Sequence, residues 1–123
     1  MPVAIETDTL PQTRARWHRA CSVADIAPWR GVAVLCGRRQ IALFRCGTGE
    51  QIYALSNFDP FSRTMVVSQG IVGDRHGEPI VSSKVYQQSF RLSDGLCLHD
   101  ADVSLTTFPV RIIDGDVDVF VSD

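Results

Sequence analysis

The side chains best suited to chemistry are four cysteines and three histidines, and they are scattered along the chain. Only Cys97 and His99 have a spacing that could do chemistry. Residues two apart on a strand share a face, so this thiol and imidazole could bind one ligand or act as nucleophile and base. No second pair follows at zinc-site spacing, and no third group is placed to orient the histidine. We therefore expect Cys97 and His99 to lie on one ordinary, partly exposed strand.

The cysteines do not predict a disulfide framework, because none forms a C-x-x-C pair. Cys36 is predicted at a hairpin turn and Cys46 at the far end of the returning strand. About seven residues at about 3.3 Å each would separate them, well beyond the reach of a disulfide. The pattern is typical of a reducing compartment and favours a cytoplasmic protein. We expect small, buried, unpaired residues at all four positions: Cys21, Cys36, Cys46 and Cys97.

Sequence motifs for phosphate, dinucleotide or acyl-transfer chemistry are absent. There is no P-loop, no G-x-G-x-x-G and no G-x-S-x-G. Acidic residues such as Asp94, Asp114 and Asp116 fall at predicted turns, where their side chains stabilise bends. These observations favour a binding or subunit role over an autonomous enzyme.

The size and charge of the chain exclude several classes of protein. At 123 residues it fits one domain. The net charge is −2, and the densest basic cluster is Arg38-Arg39, so nucleic-acid binding is not expected. No stretch approaches the roughly 20 apolar residues of a membrane helix. Residues 1–16 contain acids and prolines and are not typical of a secretory signal, so we predict a flexible tail at 1–16 and one domain at 17–123.

Turn-forming residues recur at short intervals and predict an all-β fold with little helix. The predicted turns are Cys36-Gly37, Gly47-Thr48-Gly49, Gly73-Asp74, His76-Gly77, Asp94-Gly95 and Asp114-Gly115. The predicted strands are Val32 to Cys36, Gln40 to Arg45, Gln51 to Ser56, Pro79 to Ser83, Ser89 to Leu92 and Phe108 to Ile113.

The clearest local prediction is a hairpin at the end of the chain. Apolar residues alternate up to Asp114-Gly115, which is typical of a type I′ turn, and Val117, Val119 and Val121 alternate after it. The segment from Ser22 to Ile26 predicts one capped helical turn before Pro28.

Taken in order, three segments resemble a Rieske domain: Ala54 to Phe61, Gly70 to Asp74, and Val81 to Leu92. The resemblance continues through Asp94 to Leu98 and Thr107 to Arg111, and it spans Trp17 to Val121. Within that family, Asn57-Phe58-Asp59-Pro60-Phe61 followed by Gly70-Ile71-Val72-Gly73-Asp74 is similar to the small subunits of assimilatory NADH-dependent nitrite reductase. The resemblance implies an antiparallel β-sandwich.

Rieske domains hold a [2Fe-2S] cluster with C-x-H in one loop and C-x-x-H in the next. The resemblance places Asp59 and Phe61 at the first pair of positions and Ser83 and Tyr86 at the second. A phenyl ring cannot ligate iron, and serine is a poor substitute for thiolate. Cys97 and His99 lie after both loops and do not replace these ligands. We therefore expect the chain to bind no cluster and no other metal or cofactor.

What the resemblance implies about function is a small, non-redox subunit of NAD(P)H-dependent nitrite reductase. Its partner would be the large catalytic subunit, which would carry FAD, an iron-sulfur cluster and sirohaem and reduce nitrite to ammonium. The alternative is a Rieske-type ferredoxin serving an oxygenase, and the missing ligands speak against it. A free-standing module for a small ligand ranks last, because the sequence contains no pocket signature.

Aromatic and apolar residues near the former cluster positions are candidates for the partner interface. They could instead fill the space of the cluster as a small hydrophobic core, and we favour that interpretation for Phe61 and Tyr86. Exposed aromatic side chains are common anchors of protein interfaces. The candidate interface residues are Phe58, Phe61, Val85, Tyr86 and Trp29. For Trp29, a side chain folded back over the core is an equal alternative.

Overall fold

The computed structural model describes residues 15–84 and 87–122, and the regular secondary structure of these residues is β-strand apart from two short 3₁₀ helices. No helix among these residues is long and apolar enough to cross a membrane. The strands are β1 Ala15–Ser22, β2 Arg30–Cys36, β3 Arg39–Arg45, β4 Ile52–Ser56, β5 Phe58–Asp59, β6 Thr64–Met65, β7 Ile71–Arg75, β8 Glu78–Ser82, β9 Ser89–Arg91, β10 Thr107–Phe108, β11 Val110–Ile113 and β12 Asp116–Ser122.

Four antiparallel sheets are formed by these strands. The two larger sheets have the strand orders β1-β12-β11 and β10-β4-β3-β2. The other two are a two-stranded ribbon, β5-β6, and a smaller sheet of short strands, β7-β8-β9. Two short 3₁₀ helices, Val23–Asp25 and Val67–Gln69, join elements of different sheets. The prediction of an all-β fold with little helix is confirmed.

Strand β3 is buried on both faces, because a hydrophobic core lies on each side of it. Four consecutive residues, Ile41 to Phe44, have no exposed surface. Ile41 and Leu43 face the core between the two larger sheets, which we call the sandwich core. Ala42 and Phe44 face the core under the smaller β7-β8-β9 sheet, which we call the tip core. Burial on both faces explains why this strand is an unbroken apolar run rather than an alternating one.

The C-terminal hairpin forms as predicted. Asp114 and Gly115 both have positive φ, 51° and 82°, as a type I′ turn requires. Val117, Val119 and Val121 on β12 are buried in the sandwich core. The predicted run from Phe108 to Ile113 is divided at Pro109, because β10 pairs with β4 whereas β11 pairs with β12. Proline lacks the N–H that an unbroken ladder would need, so the chain changes sheets there.

The helical turn also forms, as a 3₁₀ helix at Val23–Asp25 with its capping residue at Ser22. The Ser22 N–H donates to Asp25 Oδ2 at 2.9 Å. This bond is one half of a capping box.

Two local predictions differ from the structure. Gly73-Asp74 is not a turn but lies inside β7, where Gly73 pairs with Ile80, and the turn falls at His76-Gly77. The edge position of β7 tolerates a glycine, since only one neighbour must be paired. Strand β1, which begins at Ala15, has no predicted counterpart. Its sequence is polar, and these residues form a strand because they pair with β12. The predicted tail otherwise lies outside the described residues and stays a prediction.

Candidate functional site

The structure brings two of the four former cluster positions together at the tip of the molecule. Asp59 ends β5 and Ser83 follows β8, and both line one small cavity of about 10 Å³. Such a space holds at most one water molecule. The remaining lining is mostly apolar and includes Val67, Val81 and Phe90. Tyr86 and the neighbouring Val85 lie outside the described residues.

The Asp59 carboxylate is used to turn its own loop. The side chain is 2% exposed, and its Oδ1 accepts a hydrogen bond from the Phe61 N–H at 2.9 Å. The Arg63 N–H donates to the Asp59 carbonyl at 2.7 Å. Aspartate commonly stabilises a turn in this way. The carboxylate that stands where a cluster ligand would be therefore has a local structural role.

Phe61 fills space beside Phe90. The two ring centroids are 6.1 Å apart with the planes inclined at 44°, and Phe61 packs against the tip core while staying half-buried. Aromatic pairs at this separation stabilise a core beyond the area they bury. The packing favours the interpretation that Phe61 replaces part of the volume of the cluster, and its use as a partner anchor stays a prediction.

The loop after β8 is closed by its own backbone. The Ser83 N–H donates to the Gln88 carbonyl at 2.7 Å, and the hydroxyls of Ser82 and Ser89 lie 2.8 Å apart. These bonds hold the two ends of the loop together.

The donors at the former cluster positions do not fit a [2Fe-2S] cluster. A Rieske cluster needs two thiolates and two imidazoles, whereas this chain offers a carboxylate, a phenyl ring, a hydroxyl group and a phenol. The two cysteines of this lobe, Cys46 and Cys97, are buried in the tip core instead. Across residues 15–84 and 87–122, no group of three or more histidine, cysteine or acidic side chains could hold a metal ion.

Asn57 ties the segment from Met65 to Ser68 to strand β3. Its side chain is 1% exposed, and its Oδ1 accepts a hydrogen bond from the Ser68 N–H at 2.8 Å. Its Nδ2 donates to the Met65 carbonyl at 3.2 Å and to Gln40 Oε1 at 3.3 Å. The asparagine of the N-x-D-P-F motif is therefore a buried structural link, a role that the motif alone does not reveal.

The prediction that Cys97 and His99 lie on one strand is wrong. Cys97 is buried and forms an isolated bridge with Phe90, whereas His99 is exposed in a bend. The Leu98 N–H donates to the Ser89 carbonyl and the Cys97 N–H to the Val103 carbonyl, so the chain turns here. The thiol and the imidazole therefore do not face one ligand.

The candidate anchors fall on two separate surfaces. Phe58 is 39% exposed and pairs directly across the β5-β6 ribbon with Met65, which is 46% exposed. Trp29 is 46% exposed and lies beside Ile71, which is 61% exposed, in a groove on another part of the surface. Trp29 does not fold fully back over the core. Met65 and Ile71 were not among the predicted anchors, because apolar residues in short edge strands look the same in sequence whether buried or exposed.

Burial and ion pairing shift several pKa values around the tip core. Burial, reinforced by the charge of Asp74, raises the pKa of the Cys46 thiol to about 11. A side-chain hydrogen bond from Arg91 and the Leu96 N–H lower the pKa of Asp94. The thiol is therefore held in its unreactive neutral form, and the carboxylate is held charged at the turn after β9.

Comparison with known proteins places this geometry in a family. Residues 16–120 match the Rieske-like [2Fe-2S] domain family. The nitrite reductase (NADH) small subunit of Salmonella typhimurium is 41% identical over 101 residues, covering 82% of this chain and 94% of that protein. The same identity is found with the nitrite reductase [NAD(P)H] large subunit of Klebsiella oxytoca, where the match covers 82% of this chain and 10% of that protein.

Solved structures agree with these matches. The NMR structure of the Escherichia coli protein NirD superposes with a TM-score of 0.81 at 38% identity, covering 89% of this chain and 100% of NirD. A crystal structure described as a putative NADH-dependent nitrite reductase small subunit from Mycobacterium tuberculosis gives 0.80 at 40% identity, covering 89% and 98%. A carbazole dioxygenase ferredoxin from Nocardioides aromaticivorans, 14% identical with a TM-score of 0.70, shares the fold. The chain is a member of the nitrite reductase (NADH) small subunit family, within the Rieske-like [2Fe-2S] domains.

Proposed function

We propose that this chain is a non-redox small subunit of an NAD(P)H-dependent nitrite reductase. It assembles with a large catalytic subunit, which carries FAD, an iron-sulfur cluster and sirohaem and reduces nitrite to ammonium in nitrate assimilation. The small subunit contributes contact surface and stability to that assembly. The enzyme is therefore the complex, and this chain alone has no catalytic residues.

The observation that carries the proposal is the chemistry of the tip. Asp59 bonds to the Phe61 N–H, Phe61 packs on Phe90, and the cavity between the loops is about 10 Å³. Two residues at the ligand positions thus have structural roles, because Asp59 turns its own loop and Phe61 packs on strand β9. The same lack of thiolate and imidazole donors argues against the ferredoxin alternative.

The large subunit as partner is supported by the Klebsiella oxytoca relative. In that protein, a segment similar to this chain makes up 10% of a polypeptide named as a nitrite reductase large subunit. A domain that occurs within the same polypeptide as its functional partner commonly works beside it when the two are separate. We also propose a cytoplasmic location, since the four cysteines are all unpaired thiols.

Co-purification tests the assembly. The tagged chain is expressed in its own host growing on nitrate, and we expect a large, coloured flavin and sirohaem protein to elute with it. Nitrite-dependent NADH oxidation should appear in the same fraction. A chain that elutes alone, or with an unrelated oxygenase, would overturn the proposed assembly.

Iron and acid-labile sulfide analysis tests the non-redox role. We expect the chain, purified anaerobically, to contain neither in stoichiometric amount and to lack visible absorption. Stoichiometric [2Fe-2S] would contradict our interpretation of Asp59, Phe61, Ser83 and Tyr86 and would favour the ferredoxin alternative.

A further inference from the structure

A groove beside Trp29 has the features of a preformed docking site. It encloses about 790 Å³ and is lined by the beginning of β2, by the segment from Ser68 to Val72, and by Lys84. Trp29 and Ile71 are its exposed apolar side chains, and Arg30 and Lys84 are its exposed cations. No carboxylate is found among the described residues that line it.

Trp29 is held in position by a strained and heavily bonded turn. Its φ is 59°, a conformation that is costly for a bulky residue. Its N–H donates to the Arg45 carbonyl at 2.8 Å, and the Arg45 guanidinium donates to the Ile26 carbonyl at 2.8 Å. Backbone strain of this kind persists only where surrounding contacts impose it, and it is found at ligand clamps. A backbone fixed in this way before binding loses little entropy on binding.

The floor of the groove is also fixed, because two glycines allow close backbone approach. A Cβ at Gly31 would lie 2.6 Å from Phe44 Cε1 and 2.8 Å from the Ser68 carbonyl oxygen. A Cβ at Gly70 would lie 2.6 Å from Val81 Cγ2 and 2.8 Å from the Ser82 carbonyl oxygen. The groove is therefore a permanent feature of the packing.

Two strands bordering the groove have a free edge. Strand β2 is the terminal strand of its sheet and β7 the terminal strand of the smaller one, as far as the described residues show. Terminal strands present backbone N–H and carbonyl groups that can pair with an added extended segment. An extended occupant could therefore be bound by its backbone as well as by its side chains.

We propose that this groove docks an extended segment of the nitrite reductase large subunit that carries apolar and acidic side chains. The proposal rests on the proposed function. The large subunit is chosen because the Klebsiella oxytoca relative joins a similar domain to it in one polypeptide. Acidic residues are expected on the segment because Arg30 and Lys84 have no ion pair with another described residue, and no carboxylate is found among the described residues that line the groove. Trp29 enters an apolar part of the partner, as tryptophan does at binding hot spots.

The test measures the affinity of the full-length chain for the purified, cofactor-loaded large subunit. We expect Trp29→Ala to weaken binding by about thirtyfold, the factor that corresponds to a typical hot-spot residue. Ile71→Glu should weaken it at least as much, because it places a charge in the groove. Lys84→Glu should weaken it several-fold, with a smaller dependence on salt than the wild type.

Matched controls use exposed apolar residues elsewhere. Ile113 is 50% exposed on the C-terminal hairpin, so Ile113→Glu should leave the affinity within about twofold. The groove variant Ile71→Glu should itself fold normally, because Ile71 is 61% exposed. Its melting temperature should therefore stay nearly unchanged, so that a loss of binding reports on the groove and not on misfolding.

The outcomes separate the two proposals. If the wild type and the groove variants bind equally well, the groove proposal is overturned. If Phe58→Glu then does not bind, the docking surface is the β5-β6 ribbon. The proposed function then stands. If the wild type itself does not bind the large subunit, the proposed function fails and the groove proposal fails with it.

Discussion

The sandwich core and the tip core lie on opposite faces of one sheet and are stabilised by different means. Long antiparallel ladders enclose the sandwich core, such as the seven paired positions of β1 and β12. Strands of two to five residues surround the tip core, and buried polar side chains such as Asn57 and Asp59 complete it. Short strands pair through few backbone hydrogen bonds, so the loops between them need side-chain hydrogen bonds to the backbone. The difference shows that buried polar side chains take over at the tip part of the role that long ladders have in the sandwich.

Phe90→Ala should have the largest effect, because Phe90 is 2% exposed and lies between Phe61 and the cavity at the former cluster site. We expect the free energy of unfolding to fall by about 3 to 5 kcal/mol, measured by urea denaturation. Native-state hydrogen exchange should show faster exchange in β7, β8 and β9 than in β12. The control is Phe58→Ala, an exposed phenylalanine in the same lobe, which should cost less than about 1 kcal/mol. Equal losses for the two variants would refute a packed tip.

Two turn glycines, Gly95 at the tip and Gly115 in the C-terminal hairpin, allow the two regions to be compared by the same substitution to alanine. Gly95 has φ 76°, and a Cβ there would lie 2.1 Å from the Leu105 carbonyl oxygen in the tip lobe. Gly115 has φ 82° in the C-terminal hairpin, with nothing within 4 Å of its Cβ position. We expect Gly95→Ala to cost about 3 kcal/mol, from strain and overlap together. Gly115→Ala should cost about 1 kcal/mol, from strain alone. Thermal melting of both variants measures the difference, and similar costs would show that the Leu105 backbone yields easily.

The sandwich side of the molecule was largely predictable from sequence because its signals are local. Asp114-Gly115 has the residues of a type I′ turn, and the alternating valines after it assign one face to the core. Strand β1 was missed because its pairing with β12 joins residues about a hundred positions apart, and its own sequence is polar. Gly73 was placed in a turn because glycine is a turn former in isolation, whereas here it occupies an edge strand.

The site was predictable only where residue chemistry decided it. The absence of thiolate and imidazole at Asp59, Phe61, Ser83 and Tyr86 could be read from residue types through the family resemblance. Sequence could not show that the Asp59 carboxylate turns its own loop, that Asn57 reaches three partners, or that Ile71 is exposed beside Trp29. Those facts depend on which segments meet in three dimensions, and short-range sequence patterns do not determine that.

Alkaline pH should destabilise the protein mainly through Cys46. Burial raises the pKa of this thiol to about 11, so the folded state keeps its proton at pH values where an unfolded thiol, with a pKa of roughly 8.5, has lost it. The stabilisation is present below roughly pH 8.5 and is lost as the pH rises towards 11. Urea denaturation at pH 8 to 11 should show this decline, and Cys46→Ala should reduce it. The comparison is Cys36→Ala, which removes a thiol of the sandwich core whose pKa burial also raises. An unchanged slope in Cys46→Ala would contradict the assignment.

Acidic pH should destabilise the turn after β9 by protonating Asp94, and this is the smallest of the expected effects on stability. Arg91 donates to the Asp94 carboxylate, which also accepts the Leu96 N–H at 3.0 Å, and both bonds lower the pKa of Asp94. A carboxylate with a lowered pKa stabilises the fold above its unfolded value of about 3.9, and this contribution disappears as the pH falls through the folded pKa. The Asp94 side chain is about half-exposed, so Asp94→Asn should cost about 1 kcal/mol or less at pH 7, and this cost should shrink as the pH falls through the folded pKa. Glu78→Gln serves as the control, since Glu78 lies 3.9 Å from Arg91 and bonds no backbone group in the described chain. If both variants show the same pH dependence, charge alone stabilises this turn and the bond to Leu96 contributes nothing.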